Sequence, residues 1–66
     1  LGIKLSHGSF ARPGQIIVRQ RGKKFHSGKN TNIGRDFTIY SKIAGIVNFK
    51  NKTKSKKEIT VVEKSS

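Results

Sequence analysis

The sequence predicts a small all-β domain, a barrel-sandwich hybrid of about five short strands joined by long basic loops. Three observations carry this expectation. Eight Ile, four Val and four Thr stand against two Leu, two Ala and no Met, and β-branched side chains suit a pleated surface better than a helix. Apolar and polar residues alternate over Gln15–Arg21 and again over Asp36–Ile43, which is the period of a strand. Turn-forming residues interrupt the chain at short intervals, and no window holds helical spacing for three turns. Closely spaced short strands of this kind build barrels and sandwiches.

Leu1–Leu5 reads as a short edge strand that ends in the polar turn Ser6-His7-Gly8-Ser9. Phe10-Ala11 starts a second piece, stopped by Arg12-Pro13-Gly14-Gln15. Proline presets φ at the second turn position and glycine accepts positive φ at the third, so a type II turn is expected. Gln15–Arg21 is the best strand, with Ile17, Arg19 and Arg21 on one face and Ile16, Val18 and Gln20 on the other. Lys23–Arg35 contains Gly28, Asn30, Asn32 and Gly34 and reads as one basic loop of thirteen residues. Loops of that length in small domains are usually functional. Asp36–Ile43 is the second good strand. Ala44-Gly45 marks a tight turn, and Ile46–Phe49 returns. Lys50–Lys57 alternates lysine with small polar residues, Ile59–Val62 makes a last strand, and Glu63–Ser66 is expected to fray. Residues 1–62 form a single domain in this reading.

The chain has 66 residues, and a core that small rarely supplies more than about 3–5 kcal/mol by itself. It has no cysteine, which excludes disulfides and thiolate metal sites. Two histidines without neighbouring carboxylates make no metal cage, and no cofactor is implied. The remaining source of stability is a partner. Fifteen Lys+Arg against three Asp+Glu give a net charge of +12, which favours a polyanion. No apolar run approaches the roughly 18 residues of a membrane span, and no membrane partner is expected.

Catalysis finds little support. Asp36, Glu58 and Glu63 are the only carboxylates, and Asp36 beside Arg35 reads as a turn or ion-pair residue. The hydroxyl residues lack a base with an orienting group. Nucleic-acid contact fits better. Arg19 and Arg21 are two residues apart on a strand, roughly 7 Å, near the phosphate spacing of a nucleic-acid strand. Their planar forks grip phosphate oxygens in pairs. Lys23, Lys24 and Lys29 extend the positive surface, with Arg35, Lys4, Arg12 and Lys42 as further cations. The surrounding cations disfavour the protonated form of His26, which stacks on or hydrogen-bonds to RNA in this reading. Gly22, Gly28 and Gly34 let the backbone turn close to RNA. Phe25 either anchors the loop to the core or stacks on a base. Lys50–Lys57 is either an RNA contact or a solvated hairpin connection. With no helix to enter a major groove, RNA is favoured over DNA.

These residues resemble a known pattern. Gly14, Ile16-Ile17, Arg19-Gln20-Arg21-Gly22 and then Gly28 resemble the signature of the bacterial-type large-subunit ribosomal protein twenty-seven family. "LGIK", "KFHSGKN", "GRDFTIY" and "AGIVNF" are similar to further segments of that family, so the resemblance covers roughly Leu1–Phe49. Departures are Ser27 for the usual Pro, Asn32 for Gly, Phe37 for His and Ala44 for Asp. The resemblance implies a barrel-sandwich domain without catalysis. It implies binding to large-subunit rRNA near the peptidyl-transferase region, beside neighbouring ribosomal proteins. It also implies tRNA contact through a basic N-terminal tail that is absent from these 66 residues. The ribosome of a bacterial cytoplasm or of an organelle, plastid or mitochondrion, is the expected location.

Two rival classes remain at this point. A non-ribosomal basic RNA-binding module fits the charge equally well. A barrel-sandwich prosthetic-group carrier fits the fold, but Lys42 lacks the hairpin setting such domains use.

Overall fold

A computed structural model describes residues 2–64 and contains no helix among them. Eight strands are present: β1 (Gly2–Ile3), β2 (Phe10–Ala11), β3 (Ile16–Arg19), β4 (Phe25–Ser27), β5 (Thr31–Ile33), β6 (Ile39–Ser41), β7 (Gly45–Asn51) and β8 (Lys57–Glu63). They form two four-stranded sheets, ordered β1-β3-β6-β5 and β2-β7-β8-β4. The all-β class is as expected, while the strands number eight rather than five.

The seven buried core residues come from both sheets: Ala11, Ile17, Val18, Ile39, Val47, Ile59 and Val61. Val47 lies opposite Val61 and Phe49 opposite Ile59 in the β7–β8 ladder, so one face of this hairpin lines the core. Five partly buried residues close the margins, among them Phe25 and Phe49. Their rings meet edge to face, with centroids 5.6 Å apart. Phe25 therefore anchors to the core.

Three corrections follow. The basic stretch from Lys23 to Arg35 is not one loop, because β4 and β5 lie inside it. Strand β4 pairs parallel with β8, His26 opposite Glu58, so its partner sits at the far end of the sequence. The two sheets are pinned together here. The Thr31 hydroxyl donates to the Ile59 carbonyl at 2.9 Å, and the Asn30 amide donates to Val61 O at 2.8 Å. Asn30 holds φ 63°, which asparagine tolerates better than most residues.

The second correction concerns β3. Ile16 pairs with Tyr40 and Val18 with the next residue back, Ile39, so Ile17 is an extra residue in a bulge. Both Ile17 and Val18 are fully buried, and the simple alternation of faces breaks between them. Arg19 ends the strand and Arg21 lies beyond it.

The third concerns the hairpins. Strand β6 covers only Ile39–Ser41, and Gly45 belongs to β7 rather than to a turn. The type II turn at Pro13-Gly14 is present, with Gly14 at φ 82° and Gln15 N–H donating to Arg12 O at 3.0 Å. Glu63 pairs with Gly45 at the end of β8. The rest of the expected frayed end reaches Ser65 and Ser66, which, like Leu1 at the head of the expected edge strand, lie outside the described residues.

Candidate nucleic-acid interface

The Arg19–Phe25 segment is shaped by one side chain. Gln20 Oε1 accepts the Phe25 N–H at 2.9 Å, and its Nε2 donates to Phe25 O at 3.0 Å. The same Nε2 reaches Phe37 O at 3.0 Å. Residues 21–24 are thereby looped out as a bend, tightened by Lys24 N–H to Gly22 O at 3.0 Å. Arg21, Lys23 and Lys24 are all exposed on it. Nothing lies within 4 Å of the side-chain direction of Gly22, so the backbone there is open to a ligand.

Two grooves flank this segment. One is walled by Arg19, Gln20, Arg21, Asp36, Phe37 and Thr38. The other runs from Gly2 and Val18 past the same arginines to Lys23, Lys24 and Phe25. The structure thus brings together Arg19, Arg21, Gly22, Lys23 and Lys24. Gly34 shares a further hollow with Arg19, Asp36 and Tyr40, and Arg35 lies exposed in the connection between β5 and β6.

Other expected site residues stand apart. Lys29 lines a separate hollow with Lys50 and Thr60. Lys4, Arg12 and Lys42 are exposed but line neither arginine groove. Gly28 is placed by packing: a Cβ there would meet Thr60 Cγ2 at 2.6 Å and Glu58 Cγ at 2.7 Å. That contact explains why Thr60, on the outer side of β8, is only 6 % exposed.

His26 is half-buried on β4, and its Nε2 has no hydrogen-bond partner. Its pKa lies below 6.5, first through desolvation and then through repulsion by Lys52, Lys56 and Lys23. Two segments far apart in sequence, the 21–24 bend and the β7–β8 tip, therefore converge in one positive field. Asp36 is the one carboxylate in the arginine groove. Its pKa is held below 3.8 mainly by hydrogen bonds from Thr38, with a smaller contribution from Arg19. Among the described residues no group of His, Cys, Asp and Glu could hold a metal ion.

Sequence reasoning missed two positioning residues. His7 Nδ1 accepts the Phe49 N–H at 3.0 Å, and Gln20 was placed only as one face of a strand. No local pattern signals either: the His7 partner lies forty-two residues away, and Gln20 bonds only to backbone groups, at Phe25 and Phe37.

Two small sheets, helix-free over the described residues, that expose clustered cations round open grooves define a small, strongly basic β protein. Its sequence matches the family described as Ribosomal L27 protein over residues 1–61. It is also 49 % identical over 65 residues to the large ribosomal subunit protein bL27 of Anaplasma phagocytophilum (strain HZ), covering 98 % of this chain and 71 % of that relative. The chain belongs to this family of large-subunit ribosomal proteins, which are structural components and not enzymes.

Proposed function

We propose that the chain binds large-subunit rRNA near the peptidyl-transferase region and so supports tRNA positioning, as one structural protein among its ribosomal neighbours. The observation that carries this reading is the exposure of Arg19, Arg21, Lys23 and Lys24 round two adjoining grooves. Lys29, Arg35, Lys4, Arg12 and Lys42 widen the basic surface to further phosphates, and His26 lies among these cations as a ring whose protonation is disfavoured. A net charge of +12 in a body of 10.7 Å radius of gyration repels itself, and rRNA relieves that repulsion.

The test is retention on the large subunit through a high-salt wash and a sucrose gradient. Co-sedimentation with intact subunits is expected. With an rRNA fragment, affinity should fall with salt at a log–log slope of about −5 to −9, as for six to ten neutralised phosphates. Release to the top of the gradient, or a slope near zero, would remove the rRNA reading. Crosslinking from Arg21 and Lys24 to rRNA near the tRNA acceptor ends checks the location.

A further inference from the structure

The β5–β6 hairpin closes on Gly34 and Thr38. Gly34 N–H donates to Thr38 O at 2.8 Å, and Phe37 N–H donates to Gly34 O at 3.1 Å. Arg35 and Asp36 make the turn, and Phe37 follows at φ 64°. In a three-residue hairpin loop this left-handed position normally goes to glycine. A bulky side chain there is a true outlier, and strain of this kind gathers at ligand sites. The Gln20 amide on Phe37 O holds the strained residue in place.

Core packing does not account for the ring. Phe37 is 36 % exposed and stands among the exposed large apolar side chains rather than the seven buried core residues. It forms a wall of the groove shared by Arg19, Gln20, Arg21, Asp36 and Thr38, a space of about 530 Å³. A partly exposed aromatic ring that shares a groove with two arginines and one carboxylate suits a planar base with flanking phosphates on the arginine side. Stacking needs the face of a base, which a paired helix hides.

We propose that Phe37 is a stacking platform for one unpaired nucleobase, with Arg19 and Arg21 holding the flanking phosphates. The proposal rests on the RNA-binding reading of this surface and adds a preference for single-stranded or bulged RNA.

The test compares a short unpaired RNA with a duplex of the same sequence, using the full chain at fixed salt. Phe37→Gly removes the ring and relieves the left-handed strain, so it should melt at or above the wild-type temperature. Its affinity for the unpaired RNA should fall about tenfold, the effect of losing one stacked base. Phe37→Trp keeps a platform and adds the chain's single tryptophan, so unpaired RNA should bind and quench its emission. Equal binding of wild type and Phe37→Gly, or unquenched tryptophan at saturation, overturns the stacking role alone. Failure of wild type to bind either RNA overturns the RNA reading, and the platform with it.

Discussion

Gln20 holds Phe37 across seventeen residues of sequence, its Nε2 donating to the Phe37 carbonyl at 3.0 Å. The same amide closes the bend at Phe25, so one side chain sets both walls of the arginine groove. Gln20→Ala removes all three bonds. It should cost about 1–2 kcal/mol, read as a lower urea midpoint at unchanged m value. It should also speed amide exchange at Phe25. An unchanged midpoint would mean that the bend is held by other contacts.

Three glycines should respond in graded order. A Cβ on Gly45 would run into the Val62 carbonyl, which is backbone and has no rotamer to escape through. Gly45→Ala should cost about 3 kcal/mol or more. Gly28→Ala pushes on Glu58, which can swing, and on buried Thr60, which cannot, so about 1–3 kcal/mol is expected. Gly22 meets nothing within 4 Å, and Gly22→Ala should stay within about 0.5 kcal/mol. Thermal melts of the three variants decide this, and a reversed order would contradict the packing described.

The sequence made some of this legible and concealed the rest for physical reasons. Ile17, Val18, Ile39, Val47 and Ile59 announce a strand core through their branching, and Pro13-Gly14 announces its turn. Strands β4 and β5 are only three residues each, too short for a period to show. Parallel pairing of β4 with β8 joins segments that no local rule connects. The β3 bulge defeats strict alternation between Ile17 and Arg19, and Arg21 lies past the strand's end in the bend that Gln20 closes. The cation cluster was visible as composition. That Gln20 and Phe37 shape the groove was not, because both act through contacts across the fold.

Stability should fall on mild acidification, and His26 should be a main cause. Desolvation comes first in lowering its pKa, then Lys52, Lys56 and Lys23, while Glu58 opposes them. The folded state therefore resists a proton that the unfolded chain accepts near pH 6.5. Below that pH the unfolded chain binds more protons, and stability drops as pH falls through the lowered folded value. Above 6.5 the contribution is fully present. Asp36 acts in the same direction at lower pH, since its folded value is also depressed. Melting temperature against pH should flatten below 6.5 in His26→Gln. A profile identical to wild type would show that this ring does not carry the effect.

Whether the arginines form a site or merely add charge can be separated by counting ions. Arg19→Gln with Arg21→Gln removes two cations from the groove walls. If each neutralises one phosphate, the salt slope should become shallower by about 1.5. Neither side chain is buried, so melting should shift by no more than about 0.5 kcal/mol of stability. The control is Lys54→Gln with Lys64→Gln, which removes the same charge from exposed positions outside both grooves. A diffuse positive field would respond to either pair alike. A built site responds to the arginines and much less to the lysines, because only groups in contact release counterions when RNA binds. Equal slopes for the two double variants would assign binding to net charge and leave Arg19 and Arg21 without a special place in it.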